Sequence, residues 1–230
     1  VTADGIRIAP VYGPEDGQPA GLPGAAPFTR GAAAAGAIPD GWDVRALVVD
    51  EGPGDANRTV LDELERGSTS VLLDPQAIGI AGPADLAAVL NGVYLNMTTV
   101  ALVPGPATNE VAGWLLDLWE ASGVAEAERR GHLGLDPFGV AARYGGPPMV
   151  DTAALDLVAR ARPLPGVRAL EVDATPYADA GTSDAGQLAS ALSTGVAYLR
   201  ALTDHGISLS DALATLSVTL PADADQFLTV

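Results

Sequence analysis

From Trp42 onward the sequence alternates short apolar, β-rich runs with segments of helical spacing, and this alternation restricts the fold more than any other feature. The strand candidates are 44–49, 70–73, 93–97, 132–135, 168–172 and 216–220, each brief and mostly apolar. Helical candidates occupy 57–66, 83–90, 106–122, 151–162 and 184–205. Pro83 and Pro106 suit a first helical turn, Asp151 and Asp184 suit N-caps, and Gly123 and Gly206 suit the stops. Strand–helix alternation repeated this often predicts an α/β fold, with parallel strands joined by right-handed crossovers.

An open doubly wound sheet and a closed barrel both satisfy that pattern. The open sheet usually carries a glycine-rich phosphate turn after a strand, and neither G-x-G-x-x-G nor G-x-x-x-x-G-K-[ST] follows any candidate here. The expectation is therefore a (β/α)8 TIM-barrel type with about six of its eight strands present, since a full barrel takes about 250 residues. Residues 41–230 make this C-terminally incomplete barrel domain, read as a piece of a longer polypeptide because an open barrel exposes its edges and core. Residues 1–40 carry Gly and Pro at short intervals without helical or strand period, and read as an extended N-terminal arm.

A hydrophobic fraction of 48% is ample for a buried core. Cysteine is absent, which excludes disulfides, thiolate metal sites and a cysteine nucleophile. The formal charge is −17, and all 12 basic residues are Arg, which excludes Schiff-base and Walker-type lysine chemistry. An acidic surface repels phosphate backbones and anionic lipid, so neither nucleic acid nor membrane is expected as a partner. No apolar run reaches the ~18 residues that cross a bilayer. A cytoplasmic location is expected.

Barrel enzymes place their chemistry at the C-terminal ends of the strands. Those positions hold Asp50, Asp74, Asn96, Asp136, Asp173 and Asp223. Such a ring suits a Mg²⁺ site or a carboxylate acid/base pair, and equally a set of loop and helix caps. The two histidines, His132 and His205, lack metal-ligand spacing, and Asp204-His205-Gly206 reads as a helix terminus. No G-x-S-x-G elbow occurs. Trp114 and Trp119 share one helix and read as packing residues, and Tyr94 is expected in the core.

Three ordered segments carry a resemblance. Leu22-Pro23-Gly24, Pro27-Phe28-Thr29-Arg30-Gly31 and Gly41-Trp42-Asp43-Val44-Arg45 form the first. Asp179-Ala180-Gly181, with the helix from Gln187-Leu188-Ala189 to Gly195-Val196-Ala197-Tyr198, is the second, and Ala224-Asp225-Gln226-Phe227 is the third. Together they resemble the methylmalonyl-CoA mutase family of cobalamin-dependent acyl-CoA mutases. The resemblance implies a barrel through which a CoA thioester threads, a separate cobalamin domain in the catalytic subunit, and a radical isomerisation of methylmalonyl-CoA and succinyl-CoA. Bacterial members are often heterodimers with a second subunit that has lost substrate and cofactor binding.

Departures from the family pattern point to that second subunit. Ala32-Ala33-Ala34-Ala35 replace a polar and aromatic run that touches the acyl group, and Asp40 stands where a basic residue is expected. Gly134 aligns with a Gln, and Thr175-Pro176 with a Tyr-His pair. Losing the acyl clamp, the phosphate partner and the electrophilic His together removes the means of binding and polarising a thioester. The implied role is a small, non-catalytic, beta-type subunit that stabilises a catalytic large subunit. It has no catalytic, cofactor or metal residues of its own, adenosylcobalamin sits in the partner, and Thr29, Arg30 and Arg45 are vestigial substrate-entrance positions. Two alternatives stand beside it: the substrate-binding barrel of an active acyl-CoA mutase, and an unrelated Mg-dependent barrel enzyme using Asp74, Asp136 and Asp173.

Overall fold

The computed structural model describes residues 1–17, 21–31, 33–35 and 42–222. The chain forms two compact units, Val1–Asp43 and Val44–Val230. The first contains turns and irregular backbone, with no helix or strand among its described residues. It holds a closed loop in which Gly24 N–H donates to the Gly31 carbonyl at 2.9 Å and Gly31 N–H donates to the Phe28 carbonyl at 3.0 Å. Gly24 has φ 77°, and a Cβ there would lie 2.8 Å from the backbone nitrogen of Ala34, so only glycine fits.

The second unit runs β1 (Arg45–Val48), α1 (Pro53–Glu65), β2 (Ser70–Leu73), α2 (Pro75–Ile78), α3 (Pro83–Val89), β3 (Thr99–Leu102) and α4 (Thr108–Ala121). It continues with a 3-10 turn at Glu126–Glu128, β4 (Arg130–Leu135), α5 (Pro137–Tyr144), α6 (Thr152–Ala161) and β5 (Gly166–Asp173), then α7 (Thr175–Asp179), α8 (Asp184–Asp204), α9 (Leu209–Ala214) and β6 (Leu216–Thr219). The six strands form one parallel sheet in the order β1-β2-β3-β4-β5-β6. The α/β class is as the alternation predicts.

Strand register divides the side chains between two faces. Val48, Val71, Leu73, Val100, Leu102 and Leu133 are buried under the crossover helices, packed with Val60, Leu86, Leu115 and Trp119 in one core. Each such side chain removed from water contributes about 1.5–3 kcal/mol. Gly131 is small for a reason: a Cβ there would lie 2.2 Å from the Val100 carbonyl oxygen and 2.7 Å from the Trp119 ring. Trp119 is fully buried and Trp114 packs against the same core, as their shared helix predicts.

The third strand corrects the sequence reading. It lies at Thr99–Leu102, not at 93–97, because the Tyr94 carbonyl accepts N–H groups from Met97 and Thr98 and closes a turn. Tyr94 is 74% exposed and is not a core residue. The β-branched pair Thr99-Val100 supplies the extended run that pairs Ser70 with Thr99. Helix α8 is capped by Ser183, one residue before the expected Asp184, while Asp151 caps α6 as expected. Pro106 precedes α4, which starts at Thr108. Gly123 and Gly206 have φ of 72° and 79°, the left-handed geometry that ends a helix.

Candidate functional site

The ends of the strands bring the expected carboxylates to helix N-termini. Asp74 accepts from the N–H groups of Gln76 and Ala77, both at 3.0 Å, and caps α2. Asp173 accepts from Thr175 N–H at 2.8 Å and from the Thr175 hydroxyl at 2.9 Å, fixing the start of α7. Asp136 is buried, caps α5 through Gly139 N–H at 2.9 Å, and accepts Asp173 N–H at 3.1 Å and the Tyr198 hydroxyl. Tyr198, brought in by α8, also accepts Phe138 N–H at 3.1 Å and sets its ring edge-on to Phe138.

These carboxylates hold the strand-end loops together. Among the described residues no group of three His, Cys, Asp or Glu could hold a metal ion. Asp74 and Asp136 are the N-caps of α2 and α5, and Asp173 accepts from Thr175 just ahead of the Ala174 cap of α7. Replacing Asp74 by Ala removes both acceptor contacts at the start of α2, and the expected loss is about 1 kcal/mol, read from the urea midpoint. Burial pushes the Asp136 carboxyl up to about 6, with the hydrogen bonds from Tyr198, Gly139 and Asp173 opposing. Tyr198 rises well above a free phenol for the same reason, burial first and the Asp136 charge second.

The other expected positions fall in several places. Asn96 lies in the turn before β3, at the opposite end of the sheet, so it does not belong to the ring. Asp50 follows β1 and is half-buried. Asp223, Ala32, Asp40 and the segment 224–227 lie outside the described residues. Thr29 and Arg30 sit exposed on the closed loop of the first unit. Arg45 opens β1, and its Nε donates to the Ser70 hydroxyl at 3.1 Å.

Gly134 is the most informative of the departures. Its φ is 66°, and a Cβ would lie 2.2 Å from the Leu102 carbonyl oxygen. A side chain at this position would be strained by the left-handed backbone and would clash with the Leu102 carbonyl, so the backbone as it stands disfavours a Gln. Thr175-Pro176 form the first turn of α7, where the Arg143 guanidinium donates to the Thr175 hydroxyl at 3.1 Å and pairs with Asp179 at 3.0 Å.

The face of the sheet opposite the helices carries a second polar cluster that sequence reading did not find. By register Arg45, Ser70 and Thr99 share one row, and His132 and Arg168 share the next with the apolar Leu47, Leu72 and Ala101. Above them Glu171 is buried, accepts the hydroxyls of Ser217 and Thr219, and lies 3.7 Å from His132 Nδ1. Burial would raise this carboxyl, but His132, Ser217 and Thr219 outweigh it and hold the group below its ordinary value. Sequence alternation alone assigns Glu171 to the wrong face. The β4–β5 register shifts between His132, which pairs with Arg168, and Leu135, which pairs with Leu170, and beside it Ala169 N–H and Leu170 N–H both donate to the Thr215 carbonyl.

These features define an α/β protein of sequential strand–helix units on one parallel sheet. The methylmalonyl-CoA mutase family model matches residues 1–77 and 75–230, and the chain belongs to that family. It is 44% identical over 230 residues to a methylmalonyl-CoA mutase small subunit of Streptomyces virginiae, covering 99% of this chain and 37% of the relative. It is 40% identical to the corresponding small subunit of Propionibacterium freudenreichii subsp. shermanii, covering 100% and 36%. A probable methylmalonyl-CoA mutase small subunit of Mycobacterium tuberculosis is 35% identical, covering 100% and 37%. The chain thus spans a little over a third of the length of the curated relatives it matches.

Proposed function

We propose that this chain is part of the small, non-catalytic subunit of an adenosylcobalamin-dependent methylmalonyl-CoA mutase, pairing with and stabilising a catalytic large subunit. The observation that carries the reading is Gly134. The position that the family pattern gives to a Gln has a left-handed backbone and no room for a Cβ. Loss of the side chain is therefore built into the fold. The relatives named as small subunits support the same assignment.

The described residues do not fit adenosylcobalamin. Asp74, Asp136 and Asp173 use their oxygens on loop N–H and hydroxyl groups. His132 faces Glu171, and His205 Nδ1 meets the Ala201 carbonyl at the end of α8. Adenosylcobalamin, in the partner, supplies the radical chemistry of methylmalonyl-CoA and succinyl-CoA interconversion. This chain contributes no step to it.

Strict sequential strand order with helices buried against one face also supports a closed eight-stranded barrel. β1 and β6 are the two edges of the sheet, and beside β6 an apolar groove of about 250 Å³ is lined by Leu188, Leu192, Val196, Val218 and Leu220. Further strand–helix units, such as the greater length of the relatives can supply, would bury that groove and pair both edges. No helix among the described residues is long and apolar enough to cross a membrane.

The arm brings Ile6, Ile8, Val11, Tyr12, Leu22 and Phe28 to exposed positions, the chemistry of a segment that docks on a partner. Co-expression with a catalytic large subunit tests the whole reading. The expected result is a stable heterodimer, active with adenosylcobalamin, from which this chain purified alone retains no mutase activity. Turnover by the chain alone, or no heterodimer, overturns it.

A further inference from the structure

Of the four asparagines in the chain, Asn57, Asn91, Asn96 and Asn109, only Asn91 precedes a glycine. The pair Asn91-Gly92 forms the turn that follows α3, and both residues are exposed. Gly92 has φ 80°, and Val93 N–H closes the turn on the Leu90 carbonyl at 3.1 Å. The Gly92 N–H takes no part in that turn. Among the described residues no group accepts it, and none bonds the side-chain amide of Asn91. The backbone nitrogen and the side-chain carbonyl that can close a five-membered ring are thus both in water, with neither engaged elsewhere.

Asn57 of α1 holds this turn, its Nδ2 donating to the carbonyls of Val89 and Asn91, each at 2.8 Å. Ring closure rotates the Asn91 Cα–C bond and swings the Asn91 carbonyl away from Asn57. That contact is the one the reaction must break. From this geometry we infer that Asn91 is a site of spontaneous covalent modification, converting through a succinimide to aspartate and isoaspartate, at a rate held down by the Asn57 clamp.

The Gly92 nitrogen gives its proton to hydroxide and attacks Asn91 Cγ. The N–Cγ bond forms, the Cγ–Nδ2 bond breaks, and the amide nitrogen leaves as ammonia with a proton from water. Water then adds to one ring carbonyl and opens the ring, leaving a carboxylate, with no change of oxidation state. Gly92 has no side chain to crowd the attacking nitrogen, whereas Asn57, Asn96 and Asn109 precede Arg58, Met97 and Glu110. Either product adds a negative charge to the turn. Isoaspartate also routes the backbone through the former side chain, which lengthens it by a methylene and separates the two carbonyls that Asn57 spans. The joint between α1 and α3 loosens as the protein ages.

The full chain is incubated folded in mildly alkaline buffer and followed by peptide mass mapping, with an isoaspartate methyltransferase as the probe of the rearranged product. The expected result is a mass gain equal to exchanging NH for O, confined to the peptide that holds Asn91, with methyl acceptance rising in step and faster at higher pH. Asn91→Gln abolishes both signals. Asn57→Ala, with circular dichroism as the folding control, raises the rate at least about threefold, the effect of freeing one hydrogen-bonded carbonyl. Should that variant not fold, the urea-unfolded parent supplies the clamp-free comparison. An Asn91 that stays intact in the folded chain while the unfolded chain reacts overturns the inference. Equal conversion at the other asparagines, or equal rates with and without the Asn57 amide, overturns it as well.

Discussion

Gly134→Gln is expected to destabilise the protein by about 3–5 kcal/mol, and no mutase activity is expected to appear in the chain alone. The left-handed backbone costs a side-chain-bearing residue about 1–2 kcal/mol. The remainder comes from the overlap of the new Cβ with the Leu102 carbonyl, which lies 2.2 Å away and belongs to a paired strand that cannot retreat without breaking its ladder. Gly134→Ala should carry most of the penalty, since the clash begins at Cβ and the rest of a Gln adds little. Urea midpoints of the two variants check this. A Gln variant as stable as the parent would show that the backbone here adapts, and the position would reopen as a place for substrate chemistry.

The second large effect is a pH dependence centred on Asp136. Its folded-state pKa is about 6, raised from 3.8 by burial. A raised carboxyl binds its proton more tightly in the folded state. Its contribution to stability is fully present below about pH 4 and is lost as pH rises through about 6. The interval between those values corresponds to about 3 kcal/mol.

Asp136→Asn removes this titration. The stability difference between the variant and the parent should therefore shift in the variant's favour, by about 3 kcal/mol, on going from pH 4 to pH 7.5. Tyr198→Phe acts in the other sense at neutral pH. It deletes a hydrogen bond to the buried carboxylate and leaves Phe138 N–H without its acceptor, at a cost of about 2–3 kcal/mol at pH 7 that shrinks on acidification. Denaturant titrations of the three proteins across that pH range measure both effects. Parallel curves for parent and Asp136→Asn would place the carboxyl at its ordinary value and remove the account.

Much of the architecture was legible because its signals are local. The apolar runs at β1, β2, β4, β5 and β6, the proline starts, the Asp151 cap and the glycine stops each act within a few residues. The short helices were missed although two carry a local mark. Asp74-Pro75 and Asp136-Pro137 each place a capping carboxylate before a proline at the first helical position. The third strand was misplaced because 93–97 and 99–102 are both apolar enough for a strand. The choice depends on which of them can reach β2 in parallel register after the chain has turned at Tyr94.

The carboxylate ring was legible as a set of residues, but its chemistry was not. Capping and metal binding ask for the same residue type at a strand end, and only the positions of the N–H and hydroxyl groups distinguish them. Glu171 was hidden for another reason. The register shift between β4 and β5 breaks the simple alternation before it, and His132, Ser217 and Thr219 meet it from two other strands.

The sequence by itself determined the α/β class, the strand–helix order and, through ordered motifs, the family, because propensity, capping and patterning act over a few residues at a time. The tertiary structure decided that Gly134 has no room for a side chain, that Asp136 caps α5 while Asp173 accepts from Thr175, and that Tyr94 is exposed to solvent. Each depends on atoms distant along the chain, the Leu102 carbonyl, the Tyr198 hydroxyl and the Asn57 amide, which only the folded backbone brings within contact.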